Sequence, residues 1–119
     1  MSKKVLIVDD SMYMRTLIRE ALIEAGYEVI GEAANGESAI DMALELTPDI
    51  ITLDNILPDM IGIDILKVIK EEGLAAKVIM VSAVGQQSVI NEGMSLGAAE
   101  YIVKPFTSDH LVEVVNRVA

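Results

Sequence analysis

The chain has 119 residues and a formal net charge of -10, from 19 acidic against 9 basic side chains. That length suits one domain, residues 1–119, around one hydrophobic core, and the acidic balance argues against a nucleic-acid backbone or an anionic membrane as the main partner. Hydrophobic residues make up 52% and aromatics only 3%, which excludes disorder and predicts an aliphatic core, while the absence of cysteine excludes disulfides and thiolate sites.

Met1-Ser-Lys-Lys precedes only four apolar residues, so neither a signal peptide nor a membrane span is expected, which fits a cytoplasmic protein. Val5 to Val8 is an aliphatic run without alternation, as in a strand buried on both faces, and it ends in Asp9-Asp10. Ser11 can cap a first helix, where Met14, Leu17, Ile18, Ala21, Leu22 and Ala25 recur at steps of three and four and Gly26 closes the pattern. Tyr27 to Ala33 reads as a second strand, interrupted by Glu28 and Glu32 as on a sheet edge. Asn35-Gly36 is a turn signal. Ala39, Ile40, Ala43 and Leu44 then share one face of a second helix, which Pro48 stops.

Ile50 to Leu53 is a third strand and runs out into a single acid, Asp54. Pro58 and Gly62 break the chain before a third helix marked by Ile65, Leu66 and Ile69, ending near Gly73. Val78 to Val81 is a fourth strand, followed by Ser82-Ala83. Residues 87–96 form a weakly patterned fourth helix, with Val89, Ile90 and Met94, closed by Gly97. Glu100 to Val103 is the fifth strand and ends at Lys104-Pro105. Thr107 or Ser108 can cap a last helix with the stripe Leu111, Val114, Val115 and Val118. Val112 falls beside that stripe and is expected to be exposed.

Strict alternation with doubly buried strands predicts an α/β fold, a doubly wound five-stranded parallel sheet covered by helices on both faces. Right-handed crossovers leave few topologies, and the order 2-1-3-4-5 is favoured. Ligands then bind beyond the carboxyl ends of the strands. The residues found there are Asp9 and Asp10 after strand 1, Asp54 after strand 3, Ser82 after strand 4 and Lys104 after strand 5. Each alone reads most simply as a cap, a turn residue or a solvated lysine; together at one sheet edge they read as a site.

Three carboxylates in one pocket repel, and something must neutralise them. Oxygen ligands without cysteine suit a hard divalent cation, and magnesium takes one or two carboxylates, keeps waters and accepts phosphate oxygens. The one histidine, His110, lies in the last helix. A carboxylate beside such a cation can attack phosphorus to give an aspartyl phosphate. Lys104 could supply positive charge to the developing oxygens and the Ser82 hydroxyl a hydrogen bond.

These motifs resemble the response-regulator receiver domains, and among them the stand-alone chemotaxis regulators of the CheY type. The resemblance runs from Val5 to about Val118 and rests on Val8-Asp9-Asp10-Ser11, Asp54 with Pro58 and Gly62, Ser82-Ala83, and Lys104-Pro105-Phe106. The stretch Ser82 to Gln87 is closest to the chemotaxis subgroup. The resemblance implies the flavodoxin-like (βα)5 fold; CheY is itself the type example of the 2-1-3-4-5 order, so topology and resemblance are one expectation. It implies Asp54 as phosphoacceptor, Asp10 and Asp54 as magnesium ligands with Asp9 acting through a water, and the backbone carbonyl of Ile56 as a further ligand. It implies that Lys104 contacts the phosphoryl group, that Ser82 switches to bond it, that Tyr101 moves inward on activation, and that Lys104–Pro105 is cis, against a base rate of about 5–6% for X–Pro bonds.

Two departures stand out. Asn55 follows the acceptor where an apolar residue is commoner; it either satisfies a backbone group or perturbs the metal pocket. Ile56 and Val84 are both apolar, where many relatives carry one polar group that helps place the hydrolytic water, so slow self-dephosphorylation is expected.

The resulting expectation is a phosphorylation-activated switch, not a turnover enzyme. A histidine kinase of the chemotaxis type would phosphorylate Asp54, and the face of helix 4, strand 5 and helix 5 would bind a target such as a flagellar motor switch protein, since no output domain follows Ala119. One alternative is a phosphorelay receiver handing phosphate to a histidine phosphotransfer protein; another is a piece of a longer regulator. A haloacid-dehalogenase-type phosphatase fits poorly, because its nucleophile follows strand 1 in an Asp-x-Asp pattern and Asp9-Asp10 are adjacent.

Overall fold

The computed structural model describes residues 2–119. Its elements alternate as β1 (Lys4–Val8), α1 (Met12–Glu24), β2 (Glu28–Ala33), α2 (Gly36–Leu46), β3 (Ile50–Leu53), α3 (Gly62–Glu71), β4 (Lys77–Ser82), α4 (Gln87–Ser95), β5 (Glu100–Val103) and α5 (Ser108–Val118). The strands form one parallel sheet in the order β2-β1-β3-β4-β5. The flavodoxin-like α/β fold expected from the alternation is the fold observed.

Each central strand is buried along its length because it feeds both faces. Leu6, Ile51, Leu53, Val78 and Met80 point to one side, where Ala39 and Ala43 of α2 and Ile65, Leu66 and Ile69 of α3 cover them. Val5, Ile7, Ile50, Ile79, Val81 and Ile102 point to the other, against Ile18 and Leu22 of α1 and Leu111, Val114 and Val115 of α5. Fully burying one such aliphatic side chain contributes about 2 kcal/mol. With almost no aromatics, the core is built from many such contributions.

β2 lies at an edge and is only partly buried, as its two glutamates predict. α4 is the thinnest covering element; among the described residues only Gly93 of this helix is fully buried.

Three readings of the sequence change. Asn35 is more than a turn residue: it is the N-cap of α2, accepting the Ser38 N–H at 2.8 Å. Leu44 is 43% exposed, because α2 buries the narrower stripe of Ala39 and Ala43. Val112 is half-buried and packs with the α1/α5 core. A 3.6-residue period gives a stripe's centre well and its flanks poorly. The helix starts at Ser11 and Thr107 and the ends at Gly26 and Gly97 lie where the caps predict them.

Candidate functional site

Every strand-end residue singled out in the sequence lies at the carboxyl edge of the sheet. β1 and β3 are neighbours in register, Val8 opposite Leu53, so the residues that follow them meet at the sheet centre. The Asp54 N–H donates to the Val8 carbonyl at 3.0 Å, which carries the ladder one residue past the strand.

Asp9 is 1% exposed and fully committed. Its Oδ1 accepts the Ser11 N–H at 2.9 Å and its Oδ2 accepts Lys104 Nζ at 2.6 Å. Its carbonyl accepts Arg15 Nη1 at 2.7 Å, and Arg15 Nε in turn bonds Glu32 at 3.2 Å. Arg15 was not foreseen, because nothing in its spacing says that α1 aims it back at the strand end. Asp10 is exposed, and its carboxylate has no hydrogen-bond partner among the described residues. Asp9, Asp10 and Asp54 each offer a carboxylate oxygen, and these oxygens all lie within 4.8 Å of one another.

Asp54 is 6% exposed, and burial holds its carboxyl above the usual range. The Lys104 ammonium, 3.7 Å away, opposes that shift. Asp9 adds to it, and the neighbouring backbone of Ile56 and Asn55 reduces it. One lysine thus contacts two of the three carboxylates. Oxygen donors in excess of positive charge, with no cysteine or histidine among them, are the donor set that a hard divalent cation such as magnesium takes.

Lys104 reaches the acids from the end of β5. Its own N–H donates to the Ser82 carbonyl at 2.8 Å, and the Lys104–Pro105 bond that follows is cis. Ser82 is wholly buried, and its Oγ accepts the Val84 N–H at 3.1 Å. The Val84 carbonyl accepts the Tyr101 hydroxyl at 2.7 Å. Ser82, Val84 and Tyr101 therefore form one hydrogen-bonded chain from the acid pocket to β5. The side chain of Ile56 is 56% exposed beside the acids.

Asn55 resolves one departure. It is buried, and its Oδ1 accepts the Ile63 N–H at 3.2 Å, so its side chain satisfies a backbone donor of α3. Asp59 was also missed: it reads as a turn residue, yet its carboxylate accepts the N–H groups of Gly36 and Glu37 at 2.7 and 3.0 Å. Those bonds hold its carboxyl below the usual range.

The family model that matches the chain is the response regulator receiver domain, over residues 5–116. The chain belongs to that family. Among curated relatives it is 46% identical over 119 residues to a chemotaxis protein CheY of Thermotoga maritima, covering all of this chain and 99% of that one. It is also 38% identical over 117 residues to the sporulation initiation phosphotransferase F of Bacillus subtilis, covering 98% and 94% of the two chains. Among solved structures, a CheX-CheY-BeF3-Mg+2 complex from Borrelia burgdorferi contains a chain 35% identical that superposes with a TM-score of 0.94 over 98% of this chain and 88% of that one. Fold, family and the chemotaxis resemblance agree. Among the described residues, no helix is long and apolar enough to cross a membrane.

Proposed function

We propose that the protein is a phosphorylation-activated switch, a single receiver unit spanning 1–119, with Asp54 as the acceptor. The observation that carries this reading is Lys104 Nζ, which lies 2.6 Å from Asp9 and 3.7 Å from Asp54 in a cluster of three carboxylates. Asp54 offers a carboxylate oxygen for attack, and the Lys104 ammonium stands 3.7 Å from it.

Asp10 and Asp54 would hold magnesium, with Asp9 through a water and the Ile56 carbonyl as a further ligand. Bound there, the metal supplies positive charge toward phosphoryl oxygens. An Asp54 oxygen attacks the phosphorus of a phosphohistidine. The O–P bond forms, the P–N bond breaks, and the kinase imidazole leaves with the bonding pair. Lys104 stabilises the charge on the transferred group. The donor is a histidine kinase of the chemotaxis type.

The transferred phosphoryl group draws the Ser82 hydroxyl, which can donate its proton while its oxygen accepts from Val84. When the whole Ser82 side chain rotates toward the phosphoryl oxygen, the Val84 N–H loses its acceptor at 3.1 Å. The Val84 carbonyl is the partner of Tyr101, so the change passes along the chain to the α4–β5–α5 face. Met94 and Val103 are already 42% and 40% exposed on these elements. A cytoplasmic protein target, such as a flagellar motor switch protein, is the partner of that face. Each molecule accepts one phosphoryl group and loses it slowly, so the protein is a switch and not a turnover enzyme.

Intact-mass analysis after incubation with magnesium and a small phosphodonor tests this reading. One phosphoryl adduct is expected on wild type and none on Asp54→Asn; an adduct of equal yield on both overturns it. Slow loss is tested by Ile56→Gln, which places an amide at the exposed mouth of the site and is expected to shorten the adduct's lifetime several-fold. An unchanged lifetime means that side-chain polarity at this position is not limiting.

The relation to a sporulation phosphotransferase supports a second reading, a relay that passes phosphate to a histidine phosphotransfer protein. Loss of the adduct to such a protein, without affinity for a motor switch protein, favours the relay.

A further inference from the structure

The segment between β3 and α3 is fastened at both ends to helix N-termini. At one end Asn55 grips α3 twice: its carbonyl accepts the Gly62 N–H at 2.6 Å and its Oδ1 accepts the Ile63 N–H at 3.2 Å. The N-cap residue of α3, Ile61, has no side chain able to do this. The first N–H groups of a helix need acceptors from outside it, and here they come from the residue next to Asp54. At the other end Asp59 accepts the first two N–H groups of α2. Between the ends, Leu57 N–H donates to the Met60 carbonyl at 3.2 Å and Ile56 pairs with Ile61 in an antiparallel bridge.

The grip is close. A Cβ on Gly62 would collide with the Asp54 carbonyl oxygen, so α3 starts directly on the backbone of the acid. Ile56, whose carbonyl is one of the proposed magnesium ligands, pairs with Ile61 at the start of the same helix. Any shift of α3's start relative to residue 55 therefore moves the backbone of Asp54 and Ile56.

We infer that Asn55 is a positioning residue for the acidic centre. Its amide oxygen locks α3's first turn onto the strand end, and so fixes the backbone of residues 55 and 56 around Asp54. This rests on the reading of Asp9, Asp10, Asp54 and the Ile56 carbonyl as a magnesium site. Partners that orient metal ligands from outside typically change affinity by about 10–100-fold when removed.

The test is magnesium affinity together with amide exchange, read by NMR on the full chain. Asn55→Leu keeps the branched outline and removes the acceptor; Asn55→Ala removes both. Each is expected to bind magnesium about tenfold more weakly and to exchange the Ile63 amide faster. Asn55→Asp keeps an acceptor oxygen and is expected to retain Ile63 protection. Ile69→Val, a core change in the same helix away from the acids, serves as the stability control and is expected to leave magnesium affinity unchanged. Wild-type affinity in Asn55→Leu and Asn55→Ala overturns the inference. So does an equal loss in Ile69→Val, or unprotected Ile63 in Asn55→Asp. If wild type itself takes no magnesium, the reading of the acidic cluster fails first and the inference with it.

Discussion

Two loops leave the same sheet edge beside the acidic cluster, and they are held in opposite ways. The β3–α3 loop is tied by Asn55 to α3, by Asp59 to α2, and across itself by the Ile56–Ile61 bridge. The β4–α4 loop, residues 83–86, has its ties at Val84, and both lead to residues of the proposed switch, Ser82 and Tyr101. The helix it enters begins at Gln86 without a side-chain cap and buries little. One loop keeps Asp54, the proposed acceptor, in place. The other, among the described residues, is tied beyond these two partners only where Gln86 runs into α4. A two-state switch needs both: a fixed site that reads the phosphoryl charge and a segment with a second arrangement within reach.

The largest expected effect comes at Lys104, between the acids and the end of β4. Lys104 bonds Ser82 through its backbone and Asp9 through its ammonium. Lys104→Ala leaves the buried Asp9 carboxylate without its cation and is expected to cost about 3 kcal/mol in urea unfolding without metal. A loss below about 1 kcal/mol would mean that water already screens this pair.

A smaller change of opposite sign is expected for Asp54→Asn. Burial raises the Asp54 carboxyl in the folded protein. Its stabilising contribution is therefore present below the ordinary carboxylate range and lost as pH rises through the raised value. In chelator the variant should be more stable than wild type at neutral pH, and that gain should shrink as pH falls. A gain independent of pH would place the cause elsewhere than in the charge.

Tyr101→Phe removes one hydrogen bond from the second loop and should cost about 1 kcal/mol. Its sharper reading is local: amides of residues 83–86 should exchange faster while the Ile63 amide does not change. Equal acceleration in both loops would erase the contrast between them.

Asp59 gives the smallest effect, because it is exposed. Its lowered carboxyl stabilises the fold above the ordinary carboxylate range, and that contribution is lost as pH falls through the depressed value. Gly36 and Glu37 amides should lose protection in acid, and Asp59→Asn should show little such dependence. Identical acid profiles would remove Asp59 as a fastening of the first loop.

The strand ends were legible because an aliphatic run that stops at a polar residue is a local signal. Asp9, Asp10, Asp54, Ser82 and Lys104 each follow such a run, and the alternation of elements brings them to one edge. What holds that edge in place was not legible. Asn55 caps a helix eight residues on, and Asp59 caps one 22 and 23 residues back. A cap within its own helix has a fixed spacing, as Ser11 and Thr107 have; a cap supplied from another element depends on packing that no spacing encodes. The Ser82–Val84–Tyr101 chain was hidden for a similar reason, since its middle member acts through its backbone. The exposed Leu44 and half-buried Val112 were misjudged because both lie at the flank of a stripe.

The most direct measurement is amide shifts and exchange of wild type and Asp54→Asn, each with magnesium and beryllofluoride as a mimic of the aspartyl phosphate. The two-loop account predicts, for wild type alone, large shifts across Ser82 to Gln87 and at Tyr101, with protection of Ile63, Gly36 and Glu37 retained. The same response in Asp54→Asn, or loss of protection at Ile63 while Val84 stays unmoved, would contradict it.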